Sequence, residues 1–294
     1  MFVIVCVNLL KKYTLMTFSK LASLLFFSII FISCSSDSNE ATPATPQQQF
    51  EGDFFPLNVD NSWDYNVVNT DNNTAQNTTS EDELYVESET TNGYSLSVNQ
   101  GGLANGTMSG ILTSGELTRT ETTLAANGTV GLPIDGFDFQ INLENALLYN
   151  TQADNGAQLS IKSGSFTQDF QGYPVTINYT LKSTQLQNLS SFDVNGTTYN
   201  SVTSSNISLE LSVTTEVTIL VTQTISILDP QQVLSVNSYY AENIGLIKAE
   251  ANTNYQLNTE TAALLNQLGA DLGALQTSLS VTNTQVLTDY NIIE

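Results

Sequence analysis

Val175-Thr176-Ile177-Asn178-Tyr179-Thr180-Leu181-Lys182 is the stretch whose reading decides the fold. Apolar and polar side chains alternate along it, and a period of two is that of a β-strand with one face buried and the other in water. Pro174 stands just ahead, where a strand tolerates a residue without a backbone donor. Ile207, Leu209, Leu211 and Val213 repeat the pattern, and Val217, Ile219 and Val221 carry it on. Between those two runs Thr214-Thr215 reads as a phase slip, which predicts a bulge or a bend.

The same texture extends in both directions. Trp63, Tyr65 and Val67 alternate with Asp64 and Asn66, and Asp71 to Ser80 reads as a long polar loop after that strand. Leu84 and Val86 are separated from Tyr94, Leu96 and Val98 by Asn92-Gly93, the pair that favours a type I′ hairpin because both turn positions need positive φ. Asn-Gly recurs at Asn105, Asn127, Asn155 and Asn195, and repeated hairpins mean consecutive antiparallel strands. Asp229-Pro230 turns the chain into Val233 to Tyr240, Asn243 to Lys248 leads into another strand, and Leu279 to Leu287 forms the last. One segment departs from the period of two. Leu264, Leu265, Leu268, Leu272 and Leu275 fall at helical spacing behind a candidate cap at Thr259, which predicts one short C-terminal helix within 260–275. Gly269 and Gly273 weaken its second half, and a helix there packs on an open sheet face or plugs a barrel end. The fold class is all-β, mainly antiparallel.

Ahead of this domain lies Leu21 to Ser33, thirteen apolar-rich residues that stop at Cys34. As a helix the run would reach only about 20 Å, short of the roughly 30 Å hydrocarbon core of a bilayer. It suits a cleaved export signal, with Lys11, Lys12 and Lys20 as its cationic start and Met1 or Met16 as its first residue. Phe31-Ile32-Ser33-Cys34 resembles the lipobox of bacterial lipoproteins, with Phe31 in place of the usual leucine. That resemblance implies acylation of the Cys34 sulfur and two or more chains, enough for stable anchoring. Ser35 to Gln49 has no apolar periodicity and two prolines, so residues 34–50 read as a lipidated cysteine and tether, and 51–294 as one β-rich domain.

FFPLNVDNSWDY from Phe54 to Tyr65, FDVNGTTYNSV from Phe192 to Val202 and SYYAENIGLIKAE from Ser238 to Glu250 resemble the landmarks of a broad group of Bacteroidota outer-membrane lipoproteins. Asp60 stands where that group has glycine, and Ile244 and Ile247 where it has valine. The resemblance implies a curved sheet or incompletely closed β-barrel, held at the outer membrane on its surface or periplasmic side. It supplies no catalytic residue.

Composition narrows the chemistry further. Beyond the predicted cut, Arg119, Lys162, Lys182 and Lys248 are the cations left to face all 29 acidic residues. Nucleic acid is a disfavoured partner, because phosphate neutralisation needs clustered Lys and Arg. The chain has no histidine, and of its two cysteines Cys6 lies ahead of the predicted cut and Cys34 is expected to be consumed by lipid, so no thiolate is left. Ser-His-Asp and Cys-His catalysis and ordinary zinc sites are therefore outside its means, and no cofactor or metal is expected. GGLANG at 101–106 lacks the lysine and following helix of a phosphate cradle. Asp71-Asn72-Asn73 with Glu81-Asp82-Glu83 is the densest set of oxygen ligands for calcium, but it lacks the glycine and terminal glutamate of a calcium loop and reads as a polar hairpin tip. Arg119 reads as the partner of Glu116 or Glu121.

The expectation is a noncatalytic, lipid-anchored module that binds an apolar molecule, a glycan or a partner protein in a concave face. Trp63, Tyr65, Tyr239 and Tyr240 are the candidate ligand-face aromatics, although aromatic residues of strands more often belong to the core. A carboxylate-based hydrolase acting on glycans, marked by two converging buried acids, and a structural envelope component are the rivals.

Overall fold

The computed structural model describes residues 48–131, 140–218, 221–267 and 276–293. The predicted signal, Cys34 and the tether up to residue 47 lie outside the described residues, as do Leu268, Leu272, Leu275 and Ile219. Residues Thr45–Glu294 form a compact unit whose described part carries its own hydrophobic core, the criterion of a domain that folds by itself.

Among the described residues twelve strands make one antiparallel sheet curled into a nearly closed barrel. In chain order they are β1 (Ser62–Asp71), β2 (Gln76–Glu89), β3 (Tyr94–Val98), β4 (Glu116–Arg119), β5 (Thr123–Gly131), β6 (Gln140–Asn150), β7 (Gln158–Phe170), β8 (Tyr173–Val194), β9 (Thr197–Thr218), β10 (Thr222–Ala241), β11 (Gly245–Gln256) and β12 (Ser278–Asn291). A six-residue helix, α1 (Thr107–Leu112), lies between β3 and β4, and α2 (Thr259–Gln267) between β11 and β12. Each strand pairs with its neighbour in sequence except at one place. β1 and β12 join the two ends of the domain, while β6 and β7, linked by residues 151–157, form the two free edges of the sheet. The gap in the barrel thus falls in mid-chain.

Alternation directs the apolar side chains inward. Val175, Ile177 and Leu181 on β8 and Ile207, Leu209, Leu211 and Val213 on β9 are buried. The predicted slip at Thr214-Thr215 does not occur: Val213, Thr215 and Val217 keep one parity, and all three are buried. Thr215 holds its inward position because its hydroxyl donates to the Pro174 carbonyl at 2.9 Å. The irregularities fall instead on β10, between Ser226 and Leu234. Outward positions such as Asp64, Asn66, Glu81 and Glu83 are polar, the reverse of a membrane-spanning barrel, whose outer band is apolar.

The Asn-Gly pairs serve different ends. Asn195-Gly196, with φ of 53° and 86°, forms the expected two-residue turn between β8 and β9. Asn92-Gly93 joins β2 to β3 without positive φ, using Thr90, whose hydroxyl accepts the N–H groups of both. The predicted loop 71–80 is shorter than expected, since the turn spans only residues 72–75 and β2 already begins at Gln76. α2 begins one residue after its cap, which is Asn258 and not Thr259: the Asn258 side chain accepts from the N–H groups of Glu260 and Thr261, both at 3.1 Å.

One end of the barrel is sealed by the entering chain. Phe54, Phe55 and Leu57 are fully buried, and Phe55 stacks on Trp63 with ring centroids 4.8 Å apart. Gln48 and Phe50 already bond to the barrel through Asn188, Thr151 and Gln152, so the end of the predicted tether is part of this seal.

Candidate binding site at the barrel seam

The interior is organised by α1, which contacts β5, β10, β11 and β12 and buries Met108, Ser109, Ile111 and Leu112. Six residues are too few for a helix to stand alone, so its free N–H groups must be met by the wall. Asp82 on β2 accepts the N–H of Gly106 at 2.8 Å and that of Asn105 at 2.9 Å. Asn283 accepts from the N–H of Thr107 and Gln285 from that of Ser109, both across from β12. Burial alone would raise the Asp82 carboxyl. The donors outweigh it, because the N–H groups of Asn105 and Gly106 with the side chains of Asn99 and Ser109 hold it below its ordinary value.

This placement corrects the reading of Glu81-Asp82-Glu83 as part of a hairpin tip. Asp71, Asn72 and Asn73 are at the tip, where Asp71 accepts from Asn73 and Thr74; Asp82 faces the core, 1 % exposed. GGLANG does run into a helix, α1, which corrects the expectation that none follows it; that helix has six residues and the loop has no lysine, so it is still not a phosphate cradle. Arg119 pairs with Asp53 and not with Glu116 or Glu121, tying β4 to the entering segment.

Three of the four candidate aromatics are core. Trp63 and Tyr65 are buried and donate to the carbonyls of Ile244, at 2.6 Å, and Leu246, at 3.0 Å. Tyr240 is buried against Tyr149 and Phe55. Tyr239 is half-buried on the other side of β10, stacked on Phe192 at 4.4 Å. None of the four lines the cavity at the seam or the opening at the barrel end away from Trp63.

The concavity lies at the seam. Between the free edges of β6 and β7 the backbone ladder is absent, and side chains bridge the gap: the Leu147 N–H donates to Ser160 Oγ at 2.8 Å, and Lys162 Nζ meets Glu144 Oε1 at 3.1 Å. Nearer the connecting residues the Asn150 N–H donates to Gln185 Oε1. Behind these bridges is a cavity of about 230 Å³, walled by Leu143, Leu148, Leu181 and Ile207, with Ile111 of α1 and Val130 at its inner end. Its polar lining is Ser160, Lys162 and Ser183, together with Asn142, Glu144 and Lys182. A wider opening of about 600 Å³ at the barrel end away from Trp63 shares Ile111 and Val130 with it, so α1 stands between the two spaces.

Register fixes which way the polar wall faces. Ser160 is opposite Ser183, and Ser183 in turn opposite the buried Ile207, while Lys162 is opposite the buried Leu181. These residues share the inward phase, whereas Ile161 and Lys182 are on the outward phase at the mouth. Sequence reading missed this set, although its signal was present: at the start of β7 the inward Ser160 and Lys162 are polar and the outward Ile161, 55 % exposed, is apolar, whereas further along Phe166 and Phe170 face the core. The chain matches no protein-family model, no curated protein and no solved structure.

Proposed function

We propose that this chain is a lipid-anchored envelope protein whose barrel binds a small apolar ligand through the β6–β7 seam. The observation that carries the reading is a mostly apolar cavity behind a gap that, among the described residues, no backbone ladder spans. A ligand can enter there without breaking a backbone ladder, at the cost of two part-buried hydrogen bonds and one exposed ion pair. Ligand sites are mostly apolar concavities with a few convergent polar groups, and this one has that composition on a small scale. The lipobox-like Phe31 to Cys34 supports anchoring at the outer membrane, and the polar outer wall suits a domain held in water beside it. Among the described residues Asp82 is the one buried carboxylate, and it is committed to α1, so nothing here favours an acid-pair hydrolase.

The test uses residues 35–294 and the neutral fluorophore N-phenyl-1-naphthylamine. Saturable binding at one site, weakened at least tenfold by Leu148→Trp and by Ile207→Phe in variants that still melt cooperatively, is expected. Binding that is unchanged in both fillers would contradict the proposal.

A further inference from the structure

We infer that the seam ligand is a short-chain carboxylate amphiphile, its hydrocarbon against Leu143, Leu148, Leu181 and Ile207 and its carboxylate held by Lys162 Nζ and Ser183 Oγ. The inference rests on the seam being a binding site and names what that site takes.

Ser183 is 5 % exposed, it lines the cavity, and among the described residues its hydroxyl has no hydrogen-bond partner. Buried hydroxyls are nearly always paired, so a donor left over on a cavity wall points to an acceptor supplied from outside. Lys162 lies on the same inward phase, two residue pairs along the β7–β8 ladder. Its ammonium has three donors, and the acceptor it meets is a carboxylate already, that of Glu144, whose side chain is 77 % exposed and so weakly held.

Charge singles out this place on the barrel. Of the four cations in the domain, Arg119 is paired with Asp53 and Lys248 with Glu250, while Lys162 and Lys182 both line the seam cavity. An anion approaching so acidic a chain is repelled elsewhere and drawn here. Size sets the length of the tail. A cavity of about 230 Å³ is below the roughly 300–1,000 Å³ usual for ligand pockets, which suits a short hydrocarbon chain.

Displacement of N-phenyl-1-naphthylamine from residues 35–294 by octanoate and by 1-octanol, which share a tail and differ in the head, tests this. Octanoate should compete at least tenfold better than octanol. Lys162→Met should erase that preference while leaving octanol within about twofold, and Ser183→Ala, which removes only the unpartnered hydroxyl, should weaken octanoate about threefold and octanol not at all. Octanol equal to or better than octanoate, or a preference that survives both substitutions, would overturn the carboxylate assignment while the seam site stood. Failure of the fluorophore itself to bind would remove both.

Discussion

The carboxylate of Asp82 and the backbone N–H of Gly106 meet at 2.8 Å inside the barrel, although 24 residues separate them in the chain. Gly106 caps α1, and its lack of a side chain is what allows the approach: a Cβ there would come within 3.1 Å of Asp82 Oδ2 and would overlap Gln285. One buried charge thus fixes a six-residue helix that separates the seam cavity from the open barrel end.

Asp82→Ala should cost about 3 kcal/mol or more, because buried N–H groups of Asn105 and Gly106 lose a charged acceptor together. Urea denaturation of residues 35–294 measures it. A loss under about 1 kcal/mol would show that α1 is held by packing alone.

Two carboxyls should give opposite pH signatures. Asp82 is held below its ordinary value, so its contribution is full above 3.8 and is lost as pH falls through its folded value. Asp64 is raised by partial burial and by the neighbouring carboxylates of Glu83, Asp289 and Glu81. The folded state therefore binds its proton more tightly than the unfolded one, and stability declines as pH rises from 3.8 through the raised value. Asp64→Asn should raise the melting temperature at pH 7 and change it little at pH 3, and Asp82→Asn should lower it at pH 7 more than at pH 3. Equal shifts at both pH values would contradict the assignment.

Gly245→Ala should destabilise by about 2 kcal/mol or more, since φ is +112° there and a Cβ would come within 2.9 Å of Trp63 Nε1 and 3.1 Å of Phe55. The same denaturation measurement checks it. A change within about 0.5 kcal/mol would mean that the Phe55–Trp63 stack is looser than described.

Glu144→Gln removes the carboxylate that competes for Lys162. Octanoate affinity should rise about threefold while stability changes by less than about 0.5 kcal/mol, as for an exposed pair. A fall in octanoate affinity would place Glu144 among the groups that hold the ligand.

The strands were legible because period two is a local property. Val175 to Leu181 and Ile207 to Val213 declare themselves, and so do the turn at Asn195-Gly196 and the start of α2 near Asn258. α1 was not legible, since six residues cannot display a helical period and its supports, Asp82, Asn283 and Gln285, come from distant strands. The seam was hidden for another reason. β6 and β7 are neighbours in sequence, and only closure of the whole sheet decides that they remain unpaired. Thr215 and Ser183 both occupy inward positions where the alternation calls for an apolar residue. Thr215 finds Pro174, Ser183 finds no partner among the described residues, and the sequence does not distinguish them.

The binding claim is tested most directly by mapping amide shifts of isotopically labelled residues 35–294 during titration with 1-octanol. The account predicts perturbations concentrated at 143–148, 160–162 and 181–183, on the two sides of the gap and the strand behind it. Shifts confined to Asn105, Leu279 and Val281 at the open barrel end, with the seam silent, would contradict it.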